Sequence, residues 1–315
     1  MDLSIIIPSY NCIDTIENTL DSIMMQELSI NFETIIVNDC SKYDYSNIIK
    51  KYENRLNIRE IKTIKNGGPG VAREYGIKNS ESKYIIFIDS DDCFYNNKSI
   101  IKMYDEIENN NLDLVISNFI YERDGLRTVK EKNLAFLHGK IYKREFIEKN
   151  NIHFYNTRQN EDNGFNRLVL LLEPKYSYLN EIVYIYKENP NSITRKNNRL
   201  YKFEGLEGLS YNINWALNEA IKRGHDSINI GLTALDTLIA LYLYYLDLQN
   251  DYNVDKIIEW SKELYIKYKN NKYILDKISD NLLKEKISFL KDEINIKNYN
   301  LSFKEFLNLI EEKCK

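Results

Sequence analysis

The sequence predicts an α/β protein, a mostly parallel sheet flanked by helices, followed by an α-helical carboxyl-terminal region. Three observations carry this. Short apolar runs rich in isoleucine and valine alternate with helical patterns four times before residue 90, the signature of βαβ units. Three of those runs break abruptly into polar residues, which would place the polar ends along one sheet edge. From about Leu200 the alternation stops and only helical periodicity remains.

In order, Leu3 to Ile7 is a first strand, ended by Pro8, Ser9 and Asn11. Asp14 followed by Glu17 predicts a capping box for a helix reaching about Met25. Phe32 to Val37 is the second strand and breaks into Asn38-Asp39-Cys40-Ser41. A helix from Ser46 and a strand over Ile58 to Ile64 lead to the loop Asn66-Gly67-Gly68-Pro69-Gly70, which opens a helix carrying Arg73. These glycines suit either close approach of a ligand to the backbone or a tight turn. Arg73 can fork onto a phosphate or base edge, or be a surface charge.

Tyr84 to Ile88 is the core strand, apolar throughout and suited to burial on both faces. It runs straight into Asp89-Ser90-Asp91-Asp92. Carboxylates this close repel one another, and a buried strand gains nothing by ending in them unless a cation or a polar network compensates. A hard divalent ion, Mn²⁺ or Mg²⁺, fits there; an acidic loop capping the next helix is the alternative. Further on come a helix over Asn97 to Glu108, a strand over Leu112 to Asn118, a hairpin turn at Asp124-Gly125 and a helix over Lys143 to Lys149. Glu161 and Asp162 stand in the first turn of a helix containing Phe165 and Leu168, where the helix dipole alone favours acids. Tyr176 to Tyr186 reads as a strand, and Pro190 to Asn198 as a polar loop with Ser192 and Arg195. The division is therefore 1–199 and 200–315. His138, His153 and His225 are far apart and read as solvated or core histidines.

Composition narrows the classes. Of 315 residues 43% are hydrophobic and 12% aromatic, ample for a packed core. A net charge of −4 with interleaved lysines argues against nucleic acid as a partner. Four widely spaced cysteines offer no metal-ligand pattern and suit a reducing, cytoplasmic setting. Leu3 to Ile7 is too short for a signal-peptide core. The apolar run from about Leu235 to Leu248 contains Asp236 and Asp247 and falls short of the ~20 residues a bilayer requires, so no membrane span is expected.

Six motifs in series resemble those of inverting family 2 glycosyltransferases with the GT-A fold. They are S-I-I-I-P-S-Y-N near the start, I-I-V-N-D-C-S ending at Ser41, N-G-G-P-G-V-A-R ending at Arg73, F-I-D-S-D-D ending at Asp92, G-K-I-Y-K-R-E-F from Gly139 and N-E-D-N-G-F from Asn160. They cover about Met1 to Arg195; the helical remainder has no comparable motif. The resemblance implies that Asp39 recognises the base, with Arg73 beside the nucleotide and Pro8, Ser9 and Tyr10 lining base and ribose. It implies Asp91 as the metal ligand, Asp89 and Ser90 near the donor ribose, and Asp92 on the donor-sugar side. Asp162 resembles the general base with Glu161 beside it, and Ser192 and Arg195 sit where a loop closes over the diphosphate. The expected donor is a nucleotide-diphosphate sugar, UDP-linked in this reading, and the expected acceptor a glycan, lipid-linked glycan or protein in bacterial surface glycan synthesis. Peripheral association with the inner face of the membrane and a homodimer built by the carboxyl-terminal helices complete the expectation. The rival readings are a nucleotidyltransferase, a phosphatase using Asp89, and a non-catalytic sugar-nucleotide-binding protein.

Overall fold

The structure, a computed structural model, describes residues 1–189, 199–225, 228–291 and 294–315. Ser192 and Arg195 lie outside the described residues. The chain divides into two compact units, Met1–Arg195 and Lys196–Lys315.

The first unit is built on a nine-stranded sheet ordered β3-β2-β1-β4-β8-β6-β9-β5, with β7 paired to β6. Its strands are β1 (Leu3–Ser9), β2 (Phe32–Asn38), β3 (Ile58–Lys62), β4 (Tyr84–Phe87), β5 (Cys93–Phe94), β6 (Leu114–Arg123), β7 (Leu126–Lys130), β8 (Lys140–Lys143) and β9 (Tyr176–Tyr186). The amino-terminal half, β3-β2-β1-β4, is parallel throughout. Beyond β4 the sheet is mixed: β8 runs antiparallel to β4 and to β6, while β9 runs parallel to β6. The predicted strands and their parallel pairing are thus present in the first half, and the hairpin at Asp124-Gly125 joins β6 to β7.

Register explains why the polar ends converge. Ser9 pairs with Asn38 and Asn38 with Lys62, while Ile6 pairs with Phe87. The chain therefore leaves β1, β2, β3 and β4 along one edge. Ile5, Ile6 and Ile7 are fully buried, as a central parallel strand covered on both faces requires. The covering helices are α1 (Ile16–Met24), α2 (Ser46–Tyr52), α3 (Pro69–Lys78), α4 (Ser99–Asn109), α5 (Arg144–Lys149) and α6 (Glu161–Leu171). Helix α3 crosses β1 at close range: a Cβ on Gly76 would stand 2.5 Å from Ile6 Cγ2. The expected capping box at Asp14 and Glu17 is not made; Thr15 is the N-cap, and Glu17 instead pairs with Lys51 at 2.5 Å.

The second unit contains α7 (Arg199–Lys222), α8 (Ile228–Leu248), α9 (Asp255–Lys269), α10 (Lys272–Leu290) and α11 (Phe303–Lys313). Helix α8 is its core, burying Leu235, Leu238, Ile239, Leu241 and Leu243. At 21 residues α8 is long and apolar enough to cross a bilayer, but most of it is buried within the unit. Its two acids are satisfied locally: Asp236 pairs with Lys286 at 2.5 Å, and Asp247 accepts from the Asn295 amide at 3.1 Å. A capping box does form at α11, where Ser302 Oγ accepts from the Glu305 amide and Glu305 reaches back to the Ser302 amide at 2.7 Å.

Candidate active site

At the end of β1 the Ser9 side chain is buried and Tyr10 projects outward, 53% exposed. Ser9 accepts the Asp39 amide through its carbonyl at 2.8 Å, locking the ends of β1 and β2 together. The Asp39 carboxylate is almost wholly committed within the protein. Oδ1 accepts from Thr63 Oγ1 at 2.7 Å, Oδ2 from the Gly68 amide at 2.7 Å, and the Gly67 amide reaches both oxygens at 3.0 and 3.1 Å. Asp39 is 2% exposed. Asp39 thereby anchors the glycine loop, whose Gly67 and Gly68 amides both donate to its carboxylate. Gly68 has φ 88°, a conformation glycine adopts without penalty, and leads directly into Pro69 at the start of α3.

Arg73, one turn into α3, is not a surface charge. It is 5% exposed, with Nη2 bound to Asp89 Oδ1 at 2.6 Å and Nη1 to Glu161 Oε1 at 2.8 Å. The guanidinium thus joins the end of β4 to the start of α6.

The acids after β4 differ from one another. Burial alone would raise the Asp89 pKa, but the Arg73 charge and the His138 hydrogen bond more than offset it and hold the carboxyl well below its usual range. Ser90 beside it is partly buried. Asp91 is partly exposed and accepts from Asn189 Nδ2 at 2.7 Å. Its pKa is raised by burial and, further, by the Asp89 charge. Asp92 has no accessible surface; it accepts from the Tyr184 hydroxyl at 2.6 Å and from the Lys187 amide at 2.9 Å. Burial, then repulsion from Asp89 and Asp91, pushes it well above the ordinary carboxylate range. Through these two bonds Asp92 fastens β9 to the end of β4.

His138 is the residue that sequence reasoning missed. It is indeed a core histidine, stacked on Tyr184 with ring centroids 4.8 Å apart. Yet its Nε2 lies 3.6 Å from Asp89 Oδ2 and 3.8 Å from Asp92 Oδ2. Asp89, Asp92 and His138 each offer a ligand atom within 4.8 Å of the others. The available signal was Gly139, whose φ of 66° turns the chain into β8, next to β4.

A divalent ion fits these residues. Asp91 and Asp92 are both pushed toward the protonated form by burial and by neighbouring acids, so a positive charge is what the cluster lacks. His138 Nδ1 is buried with no partner among the described residues. Carboxylate oxygens suit a hard divalent ion such as Mg²⁺ or Mn²⁺, and a neutral imidazole can add a nitrogen ligand.

Glu161 and Asp162 open α6 after Asn160, which adopts a left-handed φ of 61°. Glu161 is buried against Arg73, whereas Asp162 keeps part of its surface exposed. The dipole would favour an ionised Asp162, but burial, then the Glu161 charge, outweighs it and pushes the pKa up to about 7. Lys140 on β8 is buried, bonded to the Phe136 carbonyl, and its amine is pushed down to about 7 by burial, which the nearby Asp162 charge opposes. The result is an acid poised to exchange a proton near neutrality.

A mixed sheet of this order, with acids at the end of β4 and a second acid pair on α6, is a GT-A fold with the site at its strand ends. The chain belongs to glycosyl transferase family 2, whose pattern matches residues 4–162. Among relatives, the glycosyltransferase EpsJ of Bacillus subtilis is 32% identical over 218 residues, 61% of this chain and 62% of EpsJ. The poly(ribitol-phosphate) beta-N-acetylglucosaminyltransferase TarS of Staphylococcus aureus is 38% identical over 104 residues, 32% of this chain and 18% of TarS. The chain thus spans less than two thirds of the length of each of these relatives. Among solved structures, TarS residues 1–349 in complex with UDP-GlcNAc superimpose with a TM-score of 0.66 at 19% identity, covering 99% of this chain and 91% of that one. The mannosyltransferase PcManGT of Pyrobaculum calidifontis, with GDP-Man and Mn²⁺, gives 0.54 at 12% identity, covering 99% and 86%.

Proposed function

We propose that the chain is a metal-dependent, inverting glycosyltransferase that moves a sugar from a nucleotide-diphosphate donor, UDP-linked, to an acceptor hydroxyl. The observation that carries this reading is the pair of acid sites joined by Arg73. One, at the end of β4, suits a diphosphate with its cation; the other holds an acid whose pKa is pushed up to about 7. The TarS complex with UDP-GlcNAc and the sequence relation to a beta-N-acetylglucosaminyltransferase make UDP-GlcNAc the first donor to test.

In this reading Asp91, the outward-facing acid, would hold a divalent cation together with Asp89 Oδ2, the oxygen that faces His138. When bound, such an ion supplies Lewis-acid stabilisation of the departing diphosphate. Pro8, Ser9, Tyr10 and Ser90 line the donor, and Asp39 acts by holding the glycine loop against it. Asp162 takes the acceptor's hydroxyl proton while the acceptor oxygen bonds to the anomeric carbon. The bond from that carbon to the phosphate oxygen breaks, and its electron pair leaves with the nucleoside diphosphate. Attack opposite the leaving group inverts the anomeric centre, and no sugar–enzyme bond forms.

The acceptor we infer is a glycan, lipid-linked glycan or protein in bacterial surface glycan synthesis, handled at the cytoplasmic side of the membrane. Lys196–Lys315 either places that acceptor or builds a homodimer. The test is incubation with uridine, guanosine and thymidine sugar nucleotides plus Mn²⁺. Release of UDP from UDP-GlcNAc supports the reading. Release of inorganic phosphate would make the protein a phosphatase, and binding without turnover a sugar-nucleotide-binding protein.

A further inference from the structure

The proposed reaction requires an ionised Asp162 when the acceptor arrives, and the packing around it shows which group provides for that. We infer that Arg73 is a positioning residue for Asp162: by gripping Asp89 with one terminal nitrogen and Glu161 with the other, it fixes the start of α6 against the strand-end acids and leaves Asp162 as the acid able to take the acceptor's proton. This inference rests on the transferase reading.

The geometry places the Arg73 guanidinium between two carboxylates. Both terminal nitrogens are engaged, at 2.6 and 2.8 Å, and the side chain is 5% exposed. The close approach is built into the sequence. Gly70 precedes Arg73 by three residues and so shares its helix face. A Cβ there would stand 2.7 Å from Glu161 Cγ and 3.4 Å from Phe154 Cβ. Only a residue without a side chain lets α6 bring Glu161 within reach of the guanidinium.

The groups around Asp162 come from four elements. Glu161 lies on its own helix, Arg73 comes from α3, Asp89 from the end of β4, and Lys140 and Tyr142 from β8. Of the two cations, Arg73 is the one that keeps its charge. Burial works against the guanidinium, but Asp89 and Glu161 more than offset it. The Lys140 amine, in contrast, is pushed down to about 7. Tyr142 is held neutral by burial. Without Arg73, three acids would share a half-charged lysine, and Asp162 would keep its proton at neutral pH.

The test is a carbon NMR titration of the full chain labelled at aspartate carboxyls, the Asp162 signal being identified by its loss in Asp162→Asn. The wild-type midpoint is expected at about 7. In Arg73→Met it should rise by about 1 pH unit, since the guanidinium charge lowers the Asp162 carboxyl without bonding to it and its loss leaves the neighbouring acids unopposed. The acidic limb of the kcat/KM profile should move with it. Should Arg73→Met fail to fold, Arg73→Lys decides: a single ammonium cannot bridge both acids, so the midpoint still rises, by less. An unmoved midpoint in the folded variant, or weaker nucleotide binding with the midpoint unmoved, overturns the inference. The titration needs no substrate, so its outcome is separate from a failure of the wild type to turn over any sugar nucleotide, which would sink the transferase reading instead.

Discussion

The acids of the two units are handled in opposite ways. At the strand edge of Met1–Arg195, burial and neighbouring carboxylates raise Asp91, Asp92 and Asp162. In Lys196–Lys315, hydrogen bonds from Lys222, Ser302 and Lys269 lower Glu219, Glu305 and Glu311 respectively. The second pattern is ordinary surface chemistry, in which solvated pairs form locally and add little. The first is destabilising: acids crowded out of water cost free energy that packing elsewhere must offset. Residues kept in such a state mark the place where chemistry is done. On this contrast rests the proposal that the chemistry belongs to Met1–Arg195.

The largest expected effect is in rate. Asp162→Asn should slow sugar transfer by about 10²–10⁴-fold while leaving the donor dissociation constant unchanged, because the amide keeps the size of the acid but cannot take the proton. Asp236→Asn in α8, which removes an acid paired to Lys286, should leave donor turnover as it was. Steady-state kinetics with calorimetric donor titration check both. A comparable loss in Asp236→Asn would break the contrast between the units.

Next come the strand-end acids themselves. Asp91→Ala should weaken Mn²⁺ binding at least about tenfold, read by electron paramagnetic resonance. Asp92→Ala should instead cost about 1–3 kcal/mol of stability in denaturant titration, because the Tyr184 hydroxyl and the Lys187 amide lose their acceptor. The reverse assignment would move the cation onto the Asp89, Asp92 and His138 cluster.

The smallest effects are steric. Gly70→Ala would set a methyl 2.7 Å from Glu161 Cγ and should cost about 1–3 kcal/mol together with turnover. Gly231→Ala in α8 meets the flexible end of Leu275 at 2.9 Å, and alanine is the better helix former, so stability should change by less than about 0.5 kcal/mol with turnover intact. Melting curves and donor turnover measured side by side on these two variants separate site packing from general packing.

Much of this was legible in the residues. The alternation of isoleucine-rich runs with helical patterns marks the strands from β1 to β4, because period and composition are local properties. The position of Asp89 to Asp92 after a buried run marks the site edge for the same reason. Pairing across distance was not legible. That Arg73 would bridge Glu161 and Asp89 depends on α3 and α6 meeting at Gly70, and no local pattern encodes that meeting. The place of His138 beside the acids was not legible, because a lone histidine carries no spacing signal; only the turn at Gly139 and the β4–β8 pairing bring it there. The antiparallel entry of β8 likewise follows from a tertiary choice, not from the sequence of that short strand.

The central claim is that the α/β unit keeps Asp162 as an acid at a cost in stability, and the pH dependence of unfolding tests it most directly. An unfolded aspartate has a pKa of about 3.9, and Asp162 in the folded chain about 7. The folded state therefore binds the proton more tightly. The stabilisation this gives is fully present below the unfolded value and is lost as pH rises through about 7. Asparagine carries no charge at any pH. Thermal melts of the wild type and Asp162→Asn across pH 4 to 8 should show the variant more stable at pH 8, with the gap closing as pH falls toward 4. A variant less stable than the wild type at pH 8, or a difference that does not change with pH, would contradict the account.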